Sequence, residues 1–209
     1  MKLPLVFLLI LCITPLFFGR MRQLPGWLSF QALALAWYGL TDGPQGKAIS
    51  MHDLLTAAEV VVLRAVLAPW LFSQMLARRN EPDLELMPSN LFTWGIAVSL
   101  IALAFEFAQA TSSGTDAFVL GVVSTAVVIS LLLLSTNATP PAQLAALLYL
   151  ETALALFETL LPEAWPLPAH LAVSATYVLT VSIGCWLLSH ASTASFSMAE
   201  KAARDKGLG

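Results

Sequence analysis

Charged residues are scarce in this chain of 209 residues: Asp, Glu, Lys and Arg make up only 11% of it, while 58% is hydrophobic. A soluble domain carries about 25% charged residues. The composition therefore predicts an integral membrane protein. The formal net charge of −3, from 10 basic and 13 acidic residues, also excludes the basic surface that a nucleic-acid-binding protein needs.

Motifs that hold cofactors are absent as well. Cys12 and Cys185 lie in different apolar runs, with no CxxC, CxxCH or Cys/His cluster, which argues against a thiolate-held metal, an iron–sulfur cluster or c-type haem. Neither GxGxxG nor a Walker-type loop is present, so a bound nucleotide is not expected. No nucleophile–base set is visible. We therefore expect no cofactor and no catalytic site of the chain's own.

Long hydrophobic runs are what the chain has in abundance. Seven of them, separated by polar loops, predict an all-α integral membrane protein with about seven transmembrane helices in a single membrane domain, 1–209. The predicted spans are 3–18, 24–40, 53–76, 90–110, 114–135, 144–161 and 169–188, followed by a polar cytoplasmic tail, 189–209. The first run lacks a small-residue cleavage site, so we interpret it as an uncleaved helix.

The distribution of basic residues predicts the orientation. If the N-terminus lies outside, the cytoplasmic segments hold Arg20, Arg22, Arg78, Arg79, Lys201, Arg204 and Lys206. The outer segments then hold only Lys2 and Lys47, with Arg64 inside the bilayer. Because cytoplasmic loops are enriched in Lys and Arg, the sequence predicts an N-out, C-in protein.

The sixth run, 144–161, contains two acids, Glu151 and Glu158. Their spacing of seven residues is almost two helical turns, so both carboxyls point the same way, roughly 10 Å apart along the axis. An acid facing lipid near the centre of a span costs about 2.5–3.5 kcal/mol or more. Glu151 must therefore face protein or a wet cavity, and the pair suggests the beginning of a proton path.

The third run carries Arg64 near its middle, a residue that stays charged at any ordinary pH. Glu59 precedes it by five residues, about 140° around an α-helix, so the two are poor partners for each other. Glu151 is then the obvious candidate partner for Arg64. Pro69 removes the backbone hydrogen bond to the carbonyl of Ala65, which predicts a helix kink beside this buried charge.

Simpler interpretations remain open for each of these residues. Buried acid–base pairs can serve only to fix helix register, and a proline is often a purely structural kink. Glu106 and Glu158 lie near predicted outer ends, where snorkelling to water explains them as well as function does. His170, after Pro168, fits an interface histidine better than a ligand, with a pH-sensitive role as the alternative.

Three stretches carry a resemblance to a known family: FQALALAW (30–37), MHDLLTAAEVVVLRAVLAPWLFSQMLARR (51–79) and LAALLYLETALALFE (144–158). The chain resembles the HyfE family (hydrogenase component E), NuoK-related membrane subunits of complex I-like group 4 hydrogenases and formate hydrogenlyases. Arg64 stands where that family usually has Lys, Pro69 matches its Pro, and Glu151 matches its acid. The last helix departs from the family pattern, with His170 near a common Glu, and Thr176 or Tyr177 near an Asp.

The resemblance implies a small multi-pass subunit of the bacterial inner membrane whose C-terminal part is NuoK-like. It also implies other membrane subunits as partners, antiporter-like proton channels among them, with lipid and quinone as further candidate ligands and no nucleic acid. Redox chemistry would belong to peripheral subunits. The buried acids and bases would relay protons or the conformational signal.

Three functional hypotheses follow. In the first, the chain is a proton-conducting or coupling subunit, with Glu151 and Arg64 as the central pair and Glu59, Glu106 and Glu158 extending a hydrated line. In the second, it is a purely structural membrane anchor. In the third, it belongs to a cation/proton antiporter-like or other transport assembly. The genes beside its own would separate the first hypothesis from the third.

Overall fold

The computed structural model describes residues 3–18, 20–41, 51–79, 91–137, 139–158 and 167–205 of the chain. Several sequence predictions fall outside these residues: the start of the fourth span at 90, the end of the sixth span at 159–161, the end of the tail at 206–209, and Lys2, Lys47 and Lys206 of the orientation argument.

Within the described residues, the chain is entirely helical apart from turns, as the composition predicts. The helices are α1 (Leu3–Phe18), α2 (Leu24–Thr41), α4 (Leu91–Thr111), α5 (Gly114–Thr136), α6 (Pro140–Glu158) and α7 (Leu167–Asp205). Helix α3 runs without a break through three segments, Met51–Glu59, Val60–Leu67 and Ala68–Arg79. A short 3-10 turn, Met21–Gln23, joins α1 to α2.

Two helix ends differ from the prediction by four residues or more. Helix α6 begins at Pro140, four residues earlier than the apolar run, because proline fits the first turn of a helix, where its missing N–H would have no partner anyway. Helix α7 continues to Asp205, so much of the polar tail is helical.

Five helical segments are long and apolar enough to cross a membrane: Asp53–Arg78, Trp94–Thr111, Gly114–Thr136, Pro140–Glu158 and Ala169–His190. The chain is therefore a multi-pass membrane protein. Helix α1 qualifies only as a shorter apolar helix, Leu3–Thr14, and α2 is interrupted by Gln31 and by glycines and aromatic residues. The prediction of seven spans thus has support for five of the seven helices.

The helices pack as a bundle in which α6 is central. It lies between α5 and α7, and α5 also contacts α1 and α4, while α3 packs against α2 and α7. Because lipid tails are as apolar as Leu, helices in a membrane associate through close packing, which small residues permit. Helix α6 buries a series of alanines that allow this approach: Ala142, Ala145, Ala146 and Ala153. This packing sets one side of α7 against α3 and against α6.

Candidate functional site

The middle of α3 is wound more widely than an α-helix. Val60–Leu67 is π-helical, and the N–H of Ala68 donates to the carbonyl of Leu63, five residues back instead of four. Pro69 follows directly; it has no N–H, and its ring crowds the carbonyl four residues earlier. That carbonyl, of Ala65, accepts a hydrogen bond of 2.8 Å from the hydroxyl of Ser29 on α2. The interruption expected at Pro69 therefore takes the form of a π-helical segment, with an additional hydrogen bond from a neighbouring helix.

The π-helical segment changes which residues of α3 share a face. In an α-helix, the side chains of Glu59 and Arg64 would point about 140° apart. In a π-helical segment, hydrogen bonds join residues that are five apart, so two such residues lie nearly one turn apart and point in similar directions. Accordingly, both side chains contact α7: Glu59 reaches His170, and Arg64 reaches Tyr177. His170 and Tyr177 are seven residues apart and so lie on one face of α7.

His170 is held between two carboxylates. Its Nε2 lies 2.7 Å from Oε2 of Glu59 on α3, and its Nδ1 lies 3.3 Å from both carboxylate oxygens of Glu158 on α6. The side chains are half-buried, with exposed fractions of 16% for His170, 24% for Glu59 and 20% for Glu158. We call these residues the Glu59–His170–Glu158 triad. It ties the start of α7 to α3 and to the end of α6.

The triad joins three groups that can each carry a proton. One carboxyl group faces each ring nitrogen of His170. A ring nitrogen that carries a hydrogen donates to its carboxylate, and a ring nitrogen with a lone pair accepts from a protonated carboxyl group. The contacts of the triad are therefore compatible with a proton on either partner.

Arg64 lies deeper in the bundle than the triad and is only 5% exposed. Its guanidinium carbon is 4.3 Å from the centroid of the Tyr177 ring, which is a cation–π contact. Among the described residues it forms no ion pair within 4.0 Å, and its Nη1 has no hydrogen-bond partner. It is attracted electrostatically by Glu151 and, more weakly, by Glu59 and Glu158. Arg64 and Glu151, the pair expected from the sequence, thus interact only at a distance. The residue in direct contact with Arg64 is Tyr177.

Glu151 contacts the same face of α7, one turn beyond Tyr177. Its Oε1 accepts a hydrogen bond of 3.1 Å from the hydroxyl of Thr180, and this hydroxyl also lies 2.9 Å from the carbonyl of Thr176. The other oxygen of Glu151, Oε2, is buried without a hydrogen-bond partner among the described residues. One carboxylate oxygen is therefore held by Thr180, and the other has no such contact among the described residues.

These residues together form what we call the polar seam. Its members are Glu59, Arg64, Glu151, Glu158, His170, Tyr177 and Thr180. Four of the five charged residues singled out from the sequence belong to it, together with His170. The fifth, Glu106, is exposed on α4, a helix that packs against α5, and the structure does not bring it to the seam. Thr176 and Tyr177 are the two residues near the position where the HyfE family has an Asp in its last helix. Thr176 is exposed, and Tyr177 is buried against Arg64.

Three contacts in and beside the seam were not anticipated from the sequence. Ser29 looks like any small polar residue in an apolar run, and Thr180 likewise; neither carries a signal without knowledge of which helices are neighbours. The bridging position of His170 depends on a contact with Glu59, 111 residues away. In the described part of the chain, no group of three or more His, Cys, Asp or Glu side chains is arranged to hold a metal ion.

Substitution of Ser29 by Ala is expected to lower the free energy of unfolding by about 1–3 kcal/mol, because the buried carbonyl of Ala65 loses its donor. The matched control is Ser99→Ala, since Ser99 is exposed and its hydroxyl bonds only within its own helix, to Gly95. Thermal unfolding in detergent measures both. In a Pro69→Ala background, which restores an N–H, the effect of Ser29→Ala should shrink; an undiminished effect would mean that Ser29 acts elsewhere.

Substitution of His170 by Leu is expected to lower the free energy of unfolding by about 1–3 kcal/mol, because Glu59 and Glu158 lose their common hydrogen-bond partner in a half-buried site. Thermal unfolding in detergent measures it, with His190→Leu, an exposed position on the same helix, as the control. A loss no larger than that of the control would mean that the triad does not hold α7 to α3 and α6.

Compared with known proteins, the chain matches no family model, no curated protein and no solved structure. The resemblance to the HyfE family thus stays a prediction from three short stretches of sequence.

Proposed function

We propose that this chain is a small membrane subunit of a complex I-like assembly, related to hydrogenases or NADH dehydrogenases of the bacterial cytoplasmic membrane. In this proposal the polar seam contributes to proton translocation or coupling. One observation carries it: ionisable side chains from three helices of a membrane bundle converge on a single face of α7, from His170 to Thr180. Ionisable groups inside a membrane are costly, and in general they mark ion pathways and proton relays.

The seam has two places that can hold a mobile proton, separated by a fixed positive charge. In the triad a proton can be shared between His170 and its two carboxyl partners, and Glu151 offers the oxygen Oε2. Arg64 lies between them along α7 and cannot release its proton. Glu151 and Glu158 are about 10 Å apart along the axis of α6, too far for direct proton transfer between Glu151 and the triad.

This arrangement suits coupling better than an uninterrupted proton wire. Dehydration favours the neutral form of a carboxyl group, and a nearby cation favours the charged form. A small displacement of the Arg64 guanidinium between Tyr177 and Glu151 would therefore change the charge state of the carboxyl group. Conversely, protonation of Glu151 or of the triad weakens the attraction on Arg64. Each site can thus sense the other through the position of one side chain.

The partners of the chain test this proposal. We expect the tagged full-length chain, purified from its own membrane in mild detergent, to bring down antiporter-like membrane subunits together with redox subunits. Mass spectrometry identifies them, and a mock purification from untagged cells is the control. Antiporter-like subunits without redox partners would assign the chain to a cation/proton antiporter-like assembly. Recovery of the chain alone would contradict both the complex I-like and the antiporter-like assembly.

A structural anchor is the second candidate function. It is favoured by the direct cross-helix contacts of the seam, since the triad and the Ser29–Ala65 hydrogen bond tie α2, α3, α6 and α7 together. If this is the whole role, substitutions in the seam will reduce the amount of assembled complex and leave the transport of each remaining complex unchanged. The proposal of coupling predicts the reverse for Glu151.

A further inference from the structure

A second group of polar atoms lies on the face of α6 that is turned away from the polar seam. Tyr149 precedes Glu151 by two residues, which is about 200° around the helix. It belongs instead to the stripe of Ala146, Ala153 and Leu156, all of them buried. Tyr149 is 3% exposed, and its hydroxyl has no hydrogen-bond partner among the described residues. Because buried hydroxyl groups in proteins are normally hydrogen-bonded, this one needs a partner that the packed helices do not supply.

Gln31 on α2 also has a buried polar atom without a partner. The side chain is fully buried, and its Nε2 donates a hydrogen bond of 2.9 Å to the carbonyl of Leu11 on α1. The usual donor to that carbonyl in an α-helix is the N–H of residue 15, but Pro15 has none. The contact with Leu11 fixes the orientation of the amide, since a flipped amide would bring its oxygen against the carbonyl oxygen. Oε1 therefore needs a donor, and the described part of the chain provides none.

Helix α1 links the two groups. Cys12 follows Leu11 directly and lies within electrostatic range of the Tyr149 hydroxyl, and α2 is in direct contact with α6. The depths agree when they are counted from the side on which α1 ends and α2 and α6 begin. Leu11 and Gln31 both lie about 10.5 Å from that side, and Tyr149 lies about 13.5 Å from it. Side chains of a helix lean toward its N-terminus, which brings the hydroxyl of Tyr149 toward the level of Gln31.

We propose that this junction of α1, α2 and α6 binds a water molecule between the hydroxyl of Tyr149 and Oε1 of Gln31. The hydroxyl donates a hydrogen bond to the water, and the water donates one to Oε1. The second hydrogen of the water can reach the sulfur of Cys12, a weak acceptor. Internal waters typically form about two to four hydrogen bonds to buried polar groups that would otherwise have no partner. The inference goes beyond the proposed function and does not rest on it, because the site faces away from Glu151.

The surroundings of the two atoms exclude a larger or a charged occupant. Gln31 and Tyr149 are neutral, and a buried ion without an opposite charge is very costly. Gln31, Tyr149 and Cys12 are at most 3% exposed, so the occupant has to be small. It must also accept a hydrogen bond from one group and donate one to the other. Water meets all of these requirements.

Water-edited solid-state NMR of the isotope-labelled full-length chain in lipid bilayers tests the proposal. We expect magnetisation from water to reach the side-chain amide of Gln31 and the ring of Tyr149 several-fold more strongly than the ring of Phe72. Phe72 is the matched control, because it is fully buried and carries no polar group. In Tyr149→Phe, the transfer to Gln31 should fall to the level of Phe72. The proposal is wrong if the transfer to Gln31 and Tyr149 in the unchanged protein is no stronger than to Phe72, or if Tyr149→Phe leaves the transfer to Gln31 as it was.

The thermal stability of Tyr149→Phe in detergent gives a second measurement, in which the two cases differ in sign. A hydroxyl that is bonded to water stabilises the fold, so its loss should lower the midpoint of unfolding by about 2–4 °C. A dry hydroxyl without a partner is destabilising, and its removal would raise the midpoint. Ser130→Ala is the control, since it removes a buried hydroxyl that bonds only within its own helix, to Ala126. An unchanged or raised midpoint in Tyr149→Phe would overturn the proposal. Neither measurement involves transport, so failure of the water site is distinguishable from failure of the coupling function, which is measured on Glu151.

Discussion

Substitution of Glu151 by Gln is expected to reduce coupled proton transport roughly tenfold or more while leaving the assembled complex at its normal amount. The amide of Gln has nearly the size of the carboxyl group, and its oxygen can still accept the hydrogen bond that Thr180 donates to Oε1. It can neither gain nor lose a proton at the position of Oε2. The substitution thus removes the proton and the charge without removing the packing.

Proton uptake by inverted membrane vesicles, driven by the redox substrate of the assembly and normalised to the amount of this chain, measures the effect. Thr180→Val is the matched control: it removes the hydrogen bond on Oε1 but keeps an acid that can be protonated, so its effect should be clearly smaller. Normal transport in Glu151→Gln would reassign the residue to structure. Loss of the assembled complex would favour the anchor function.

Helical spacing predicts the common direction of the two acids on α6 but not the helix that the charges of α3 contact. On α6, seven residues separate Glu151 from Glu158, and both side chains contact α7, as α-helical geometry requires. On α3, the same arithmetic predicts that Glu59 and Arg64 are poor partners for each other, and among the described residues no ion pair joins them. Both nevertheless contact α7. The difference comes from Pro69, which the sequence marks as an interruption without showing that the helix widens into a π-helical segment before it.

The pairing of charges could not be predicted, because it depends on packing between helices far apart in sequence. Each acid was visible as an expensive group in an apolar run, but nothing in the runs shows that His170 would lie between Glu59 and Glu158. Likewise, Arg64 was expected to need a carboxylate, and an aromatic ring occupies the place of direct contact. The seven helices, by contrast, could be predicted, because they depend on local features of the sequence, namely apolar runs bounded by polar loops.

The contact between Arg64 and Tyr177 should matter most for stability. Tyr177 is 2% exposed and Arg64 5%, so Tyr177→Ala both leaves a cavity and removes the partner of a buried cation. Deletion of a large buried aromatic ring costs about 3–5 kcal/mol, and a desolvated cation–π contact contributes about 2 kcal/mol or more of stabilisation. We expect Tyr177→Ala to lower the free energy of unfolding by at least about 3 kcal/mol, measured by thermal or denaturant unfolding in detergent.

The ring and the hydroxyl of Tyr177 can be separated experimentally. Tyr177→Phe keeps the ring under Arg64 and should have a much smaller effect than Tyr177→Ala; Thr176→Val, at the exposed neighbouring position, should have almost none. A double-mutant cycle with Arg64→Met isolates the contact, because in that background the loss of the ring no longer strands a cation. An equal loss with Ala and Phe would mean that the hydroxyl holds the site. A cycle without interaction energy would show that Arg64 does not depend on the ring.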